Sequence, residues 1–283
     1  RFRINRMIIR QTAVFLIATL AAPPPAEAAG GPGVARREQG NLVYEGIPET
    51  PARIREALRP YLNVRYASFE DWAPGGDGIL ISTRLGDTYQ LHRVARPLGV
   101  REQITFYDEP VSVAKVSPDP ERAGLLFYKD VGGGEAYQIF YRDLETGRTT
   151  LLTDGESRNG SAVWSPDGSR IAFYTTERNG TDWDIHIAHP HEDGKIRPAY
   201  TKGGKWAVSD WHPDGDRLII RRLISAHESV PHVLKIRSRT LTRFYPMHVD
   251  GPVYYGKIRY APDGTGVFFI SDAGRDYHTL YYY

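Results

Sequence analysis

The sequence predicts an all-β fold built from short antiparallel sheets repeated along the chain. Three observations predict it: a composition crowded with aromatics and turn formers, a proline-marked tetrad recurring at a near-constant interval, and an apolar run of strand length after each tetrad. Among 283 residues stand 18 Tyr, 10 Phe and 5 Trp beside 28 Gly and 20 Pro. Gly and Pro at that density punctuate many short strands and interrupt long helices. With 25% charged and 41% hydrophobic residues, the chain suits one large globular domain or two small ones. The absence of Cys excludes a disulfide scaffold, a CxxC zinc site, a cysteine nucleophile and thiol redox chemistry. The formal net charge is +2, but four Arg and one Glu fall in residues 1–28, which leaves the remainder close to neutral. That balance lacks the basic footprint of a nucleic-acid binder.

The first element is an address. Arg6 and Arg10 precede an apolar run from Thr12 to Ala22, followed by Ala26-Glu27-Ala28. A positive flank, a short hydrophobic core and a small-residue exit read as a secretory signal peptide over 1–28, cut after Ala28. The run is too short for a bilayer, which wants about 20 apolar residues. The implied location is periplasmic or secreted, with no membrane association after cleavage. Residues 29–42, small, polar and rich in Pro and Gly, read as a linker. An N-terminal brace follows over 43–62. Its short helix is capped by Thr50, opened by Pro51 and ended by Pro60, with Ile54, Ala57 and Leu58 on one face.

From residue 63 the chain repeats itself. The tetrads are Trp72-Ala-Pro-Gly, Val116-Ser-Pro-Asp, Trp164-Ser-Pro-Asp, Trp211-His-Pro-Asp and Tyr260-Ala-Pro-Asp, with prolines 44, 48, 47 and 49 residues apart. A period in the forties in a strand-rich chain signals the four-stranded blades of a β-propeller. Each tetrad is read as the turn between a blade's first and second strands, since proline pre-sets φ and Asp-Gly completes the reversal. The residue ahead of it points into the packing between blades. Second strands follow as Ile79–Ile81, Leu125–Phe127, Ile171–Phe173, Leu218–Ile220 and Val267–Phe269. Alternating third strands begin near Tyr89, Tyr137, Trp183, His232 and His278, and rim strands are expected over Glu102–Phe106, Thr149–Thr153, Arg197–Thr201 and Leu241–Tyr245. Blades over 63–283 thus number about four and a half, with the fifth stopping inside its third strand. That reads as an incomplete ring and a truncated polypeptide, because a closed propeller has no open edge.

Two first-blade segments, Ile81-Ser-Thr-Arg-Leu-Gly-Asp-Thr-Tyr-Gln-Leu-His-Arg93 and Arg101-Glu-Gln-Ile-Thr-Phe-Tyr-Asp-Glu-Pro-Val111, together with the Trp-Ser-Pro-Asp-Gly blades, carry a family resemblance. From about Val43 onward the chain resembles the N-terminal propeller of exported bacterial serine peptidases of the prolyl oligopeptidase family, the acylaminoacyl- or dipeptidyl-peptidase-like branch. The Ser-Pro-Asp-Gly repeat itself is shared with TolB and other periplasmic propellers. The resemblance implies a non-catalytic, substrate-gating propeller of a secreted peptidase that hydrolyses short peptides through an α/β-hydrolase domain missing here. The alternative is a TolB-like periplasmic protein-binding scaffold without enzyme activity. In the peptidases the nucleophile sits on a GxSxG elbow. The sequences around Ser157 and Ser169 both fail that pattern and no GxSxG exists in the chain, so no catalytic residue carries over. The adjacent Glu pair with which dipeptidyl members hold a substrate's amino terminus has no counterpart either.

Several polar groupings have a bland reading beside a chemical one. His186, His189, His191, Glu192 and Asp193 offer zinc-competent side chains, but they alternate along a strand and into its hairpin, and exposed turn residues are the default. Gly132-Gly-Gly134 lacks the Lys-Ser/Thr of a phosphate loop and reads as a hairpin tip. His227-Glu-Ser-Val-Pro-His232 is read as a loop, in which His, Glu and Ser do not make a triad by proximity in sequence. No metal, cofactor or catalytic residue is therefore assigned. Substrate contacts are expected on the loops Arg84–Thr88, Lys129–Glu135, Glu177–Asp182 and Ser225–Pro231, on a propeller face the sequence leaves undecided. A sugar-lyase-type propeller would instead need histidines converging on the axis.

Overall fold

The computed structural model describes residues 35–39, 42–192, 194–244 and 251–283. The signal peptide lies outside the described residues, as do most of its neighbouring linker, Asp193 and the end of the expected fourth rim strand. The chain divides into two compact units, one ending at Val64 and the other running from Arg65 to Tyr283.

In the first unit, β1 (Arg36–Gln39) pairs antiparallel with β2 (Leu42–Glu45), so a hairpin stands within and beyond the stretch read as linker. Helix α1 spans Ala52–Leu62 and differs from expectation at both ends. Pro51, not Thr50, occupies the N-cap, and no side chain caps the helix. Pro60 lies inside the last turn and does not end it. The carbonyl of Arg59 still receives the Asn63 N–H at 3.1 Å, which closes the helix three residues further on. No residue of α1 is buried.

The second unit is a five-bladed β-propeller. Blade 1 comprises β3 (Ala67–Trp72), β4 (Ile79–Thr83), β5 (Gln90–Val94) and β6 (Glu102–Gln103). Blade 2 comprises β7 (Val111–Val116), β8 (Gly124–Lys129), β9 (Gln138–Asp143) and β10 (Thr149–Leu151). Blade 3 holds β11 (Asn159–Trp164), β12 (Ile171–Thr175), β13 (Asp184–His189) and β14 (Lys195–Tyr200). Blade 4 holds β15 (Lys205–Trp211), β16 (Arg217–Ser225), β17 (Glu228–Lys235) and β18 (Thr240–Arg243). Blade 5 has β19 (Tyr255–Tyr260), β20 (Val267–Ser271) and β21 (Thr279–Tyr282). Every sheet is an antiparallel meander in chain order, four of them four-stranded and the last three-stranded among the described residues.

The tetrads do the turning work their chemistry suggests. Gly168 N–H donates to Ser165 O at 2.9 Å, Gly215 to His212 O at 2.9 Å and Gly264 to Ala261 O at 2.8 Å, each closing a turn with proline second. Asp167 fixes its turn further by accepting from Ser169 N–H at 3.1 Å, and Asp263 does the same with Thr265 at 3.0 Å. These carboxylates are engaged locally, one per turn.

The core lies between blades. Four buried clusters occupy the successive seams from blade 1 to blade 5: Leu91 with Phe127, Tyr141 with Trp164, Ile185 with Trp211, and Ile219 with Phe269. The apolar second strands explain this placement, since a middle strand of a stacked sheet is covered on both faces. Leu125, Leu126 and Phe127 are all fully buried, as are Leu218 and Ile220.

Candidate binding site: a charged axial channel

The first strand of each blade lines the propeller axis, and each carries a β-bulge two or three residues before its tetrad. The register slips at Glu70 in β3, Val113 in β7, Ser161 and Ala162 in β11, Ser209 in β15, and Lys257 and Ile258 in β19. A bulge adds one unpaired residue and turns the strand, which re-aims the side chains that follow. Val113, Ser161 and Lys257 adopt φ of 54°, 53° and 45°, a region costly for residues with a Cβ and most costly for a β-branched one.

Just past the bulges come Asp71, Lys115, Val163, Asp210 and Arg259, one from each blade. Together with Glu70 they line a single cavity of about 480 Å³ on the axis. Their bonds join blade to blade. Asp71 accepts from Val116 N–H of blade 2 at 2.8 Å, and Asp210 from Tyr260 N–H of blade 5 at 2.9 Å. Lys115 donates from its ammonium to Ala162 O of blade 3 at 2.7 Å, and Arg259 to Ser209 O of blade 4 at 2.7 Å and to Asp210 at 3.1 Å. Between blades 2 and 3 and between blades 3 and 4 the tetrad indole also bridges. Trp164 Nε1 donates to Lys115 O at 3.0 Å and Trp211 Nε1 to Val163 O at 2.9 Å. The Trp164 and Trp211 anchors reach back; where the anchor is Val116 or Tyr260, an aspartate of the preceding blade reaches forward.

Burial shapes the charges here. Desolvation pushes the Lys115 ammonium down to about 8, helped by the Arg259 charge and opposed by Asp71 and Asp210. Glu70 is raised above the usual carboxylate range, again by desolvation, against a backbone N–H from Ala114. No histidine lines this channel, and among the described residues no cluster of three or more His, Asp or Glu is placed to hold a metal ion. The chemistry on offer is recognition of polar and charged groups. The serine on its wall, Ser165, donates its hydroxyl to the Asp167 carboxylate of its own tetrad turn.

The groupings singled out in sequence are dispersed. His186 packs edge-on against Phe173, and His191 stacks on Trp164 at 6.1 Å while meeting Tyr141 edge-on. His189 lies 3.9 Å from Glu192 at a turn. Gly132–Gly134 is an exposed hairpin tip. The stretch read as the loop Ser225–Pro231 is mostly strand: β16 and β17 continue into a tight hairpin, with Ser225 opposite Glu228. Ser229 is buried and bridges to blade 5, donating to Tyr255 O at 2.9 Å and accepting from Tyr255 N–H at 2.9 Å.

The other three candidate loops join second to third strands, so they share one propeller face with the starts of the first strands; the tetrad turns occupy the opposite face. Residues unremarked in sequence hold this loop face rigid. Gln90 donates to Tyr107 O at 2.9 Å and Glu109 O at 3.0 Å, and Gln138 to Ser157 O at 2.7 Å, each tying a third strand to the crossing toward the next blade. The repeated Tyr-Gln-Leu and Tyr-Gln-Ile was the available signal. In blade 3 the fully buried Asp184 takes this position and is matched by Arg178.

No family model matches the chain. The chain is 26% identical over 160 residues to an uncharacterized peptidase, YuxL, of Bacillus subtilis; the match covers 56% of this chain and 22% of that protein. Among solved structures, TolB from Acinetobacter baumannii superposes with a TM-score of 0.52 at 17% identity, over 76% of this chain and 54% of TolB. A prolyl endopeptidase gives 0.61 at 12% identity over 82% of this chain and 38% of its own. Dipeptidyl peptidase 4 of Porphyromonas gingivalis gives 0.54 at 12% identity, over 83% and 40%. The chain thus spans about a fifth of the curated peptidase and roughly half or less of these solved structures. Among the described residues, no helix is long and apolar enough to cross a membrane. The repeat, the bulged axial strands and the superpositions agree on one conclusion: this chain carries a five-bladed β-propeller similar to TolB and to the propeller domains of prolyl and dipeptidyl peptidases.

Proposed function

We propose that this propeller is the non-catalytic, substrate-gating domain of a secreted serine peptidase that acts on short peptides, with the α/β-hydrolase domain encoded outside this sequence. The observation that carries the reading is the axial channel. Five bulged strands bring three carboxylates and two cations onto one axis, where an extended peptide would meet polar and charged groups. The sequence similarity to a curated peptidase supports the same reading. A TolB-like periplasmic scaffold that binds proteins is the second reading, favoured by the higher identity of the TolB propellers over the peptidase ones. Fold alone does not choose between them.

The test uses the chain itself and its natural full-length product. The chain should hydrolyse no aminoacyl or dipeptidyl chromogenic substrate and should resist a fluorophosphonate probe, because it contains no GxSxG serine. The full-length protein should be labelled at a serine outside these 283 residues. Absence of labelling in the full-length protein would leave the scaffold reading standing and remove the peptidase one.

A further inference from the structure

A second cavity, of about 360 Å³, opens on the loop face between blades 2 and 3 and shares Val113 and Lys115 with the axial channel. Its walls are Tyr128 and Tyr174, from the ends of second strands, and Tyr137, at the start of β9. Such a size lies at the low end of small-ligand sites, which run from about 300 to 1,000 Å³. Tyr128 is buried and fixed, its hydroxyl accepting the Ala162 N–H at 2.7 Å. Tyr174 is clamped by face-to-face stacking on Trp183, with centroids 4.1 Å apart. Tyr137 is 39% exposed and forms the rim.

Four features mark this recess as more than a packing gap. Val113 and Ser161, both at positive φ, flank it, and strained backbone held on a cavity wall points to a binding role. Gly160 is required beneath Tyr174, since a Cβ there would lie 2.7 Å from the ring. Asn159, 3% exposed, donates to Tyr137 O, Ser157 O and Gln138 while its Oδ1 is buried without a partner. A buried acceptor with no donor is costly and suits a ligand N–H. Lastly, the Lys115 ammonium has three N–H groups and one protein acceptor, Ala162 O. The nearby carboxylates are already engaged: Asp71 accepts from two backbone N–H groups, and Asp210 from one plus Arg259.

We propose that this recess is a binding subsite for the carboxy-terminal residue of a short peptide, with an aromatic side chain among Tyr128, Tyr137 and Tyr174 and the terminal carboxylate on Lys115. Rings bury well against offset or edge-on aromatic walls, and an ammonium with free donors in a dry setting matches a carboxylate. The inference goes beyond gating and holds equally for a scaffold, so it stands or falls separately from the peptidase reading.

Titration calorimetry of the intact chain with Ala-Ala-Phe, its carboxamide Ala-Ala-Phe-NH₂, and Ala-Ala-Ala tests it. Ala-Ala-Phe should bind saturably, and each of the other two roughly tenfold more weakly, as expected on removing a charge-assisted contact or a ring. Lys115→Met should abolish the preference for the acid over the amide. Tyr137→Ser, at the exposed rim, should weaken both phenylalanine peptides about tenfold. Thermal melts of each variant confirm the fold. No saturable binding of Ala-Ala-Phe, equal affinity for acid and amide, or an acid preference that survives Lys115→Met would each overturn the proposal.

Discussion

His92, His186, His191 and His232 are held below the ordinary imidazole range of about 6.5, in every case chiefly because burial disfavours the charged ring. The sign of the consequence follows from linkage. In the unfolded chain these rings take up protons as pH falls through about 6.5, while in the fold they stay neutral to lower pH, so the unfolded state binds more protons in that window. Their contribution is therefore fully present above the unfolded value and is lost progressively as the pH falls below it. The melting temperature should drop between pH 7.5 and 5, and His186→Gln combined with His232→Gln should flatten that slope. His186 carries a buried Nδ1 with no hydrogen-bond partner, but the Glu177 carboxylate 3.8 Å away and Asp184 oppose part of the burial cost of charging it. The Lys115 ammonium works in the same sense at higher pH: burial lowers its value, so the folded chain gives up this proton first and stability rises as the pH climbs from about 8 toward the unfolded value of 10.5.

At the scale of the element, the same tetrad does different work in different blades. Trp211 is 3% exposed and bonds to Val163 O across the seam, whereas Trp72 is 63% exposed and pairs edge-on with Phe69. Trp211→Phe should thus cost about 1–3 kcal/mol, the lost hydrogen bond plus the unfilled volume. Trp72→Phe should stay within about 0.5 kcal/mol. Urea midpoints at unchanged slope would measure both, and equal costs would contradict the seam assignment. The turns and second strands were legible beforehand because proline, Asp-Gly and uninterrupted apolar runs act locally. The rim strands were less so: of the expected Glu102–Phe106 the strand keeps only Glu102–Gln103, with Ile104 N–H still donating to Leu91 O at 2.9 Å. The reason is tertiary, as Thr105 turns its hydroxyl to Leu91 N–H at 2.9 Å in place of continuing the ladder. The blade 4 hairpin was misread because Pro231 and His227 suggest a loop, yet Pro231 sits in β17 opposite Arg221, within a pairing fixed by the flanking apolar residues.

For the whole molecule, the propeller was readable from five tetrads at a steady spacing, but the channel was not. Asp71, Lys115, Asp210 and Arg259 lie 44 to 95 residues from one another in adjacent pairs, and each looks like an ordinary strand-end charge until the bulges converge them. The recess was hidden for a similar reason, since its tyrosines belong to three different strands or their ends. The seams have a further consequence. Each joins only consecutive blades, so the energy of the molecule is a chain of neighbour couplings, as in other repeat architectures. Blades 2, 3 and 4 are each gripped on both sides, while blades 1 and 5 have one buried cluster apiece among the described residues. Amide hydrogen exchange should accordingly be slowest in Leu125–Phe127, Ile171–Phe173 and Leu218–Ile220, and faster in Ile79–Ile81 and Val267–Phe269. Uniform protection across all five would refute it. Such a molecule comes apart as a row of books does, from its outer volumes inward, and the bond from Lys115 to Ala162 O, between the second and third, is among the last to break.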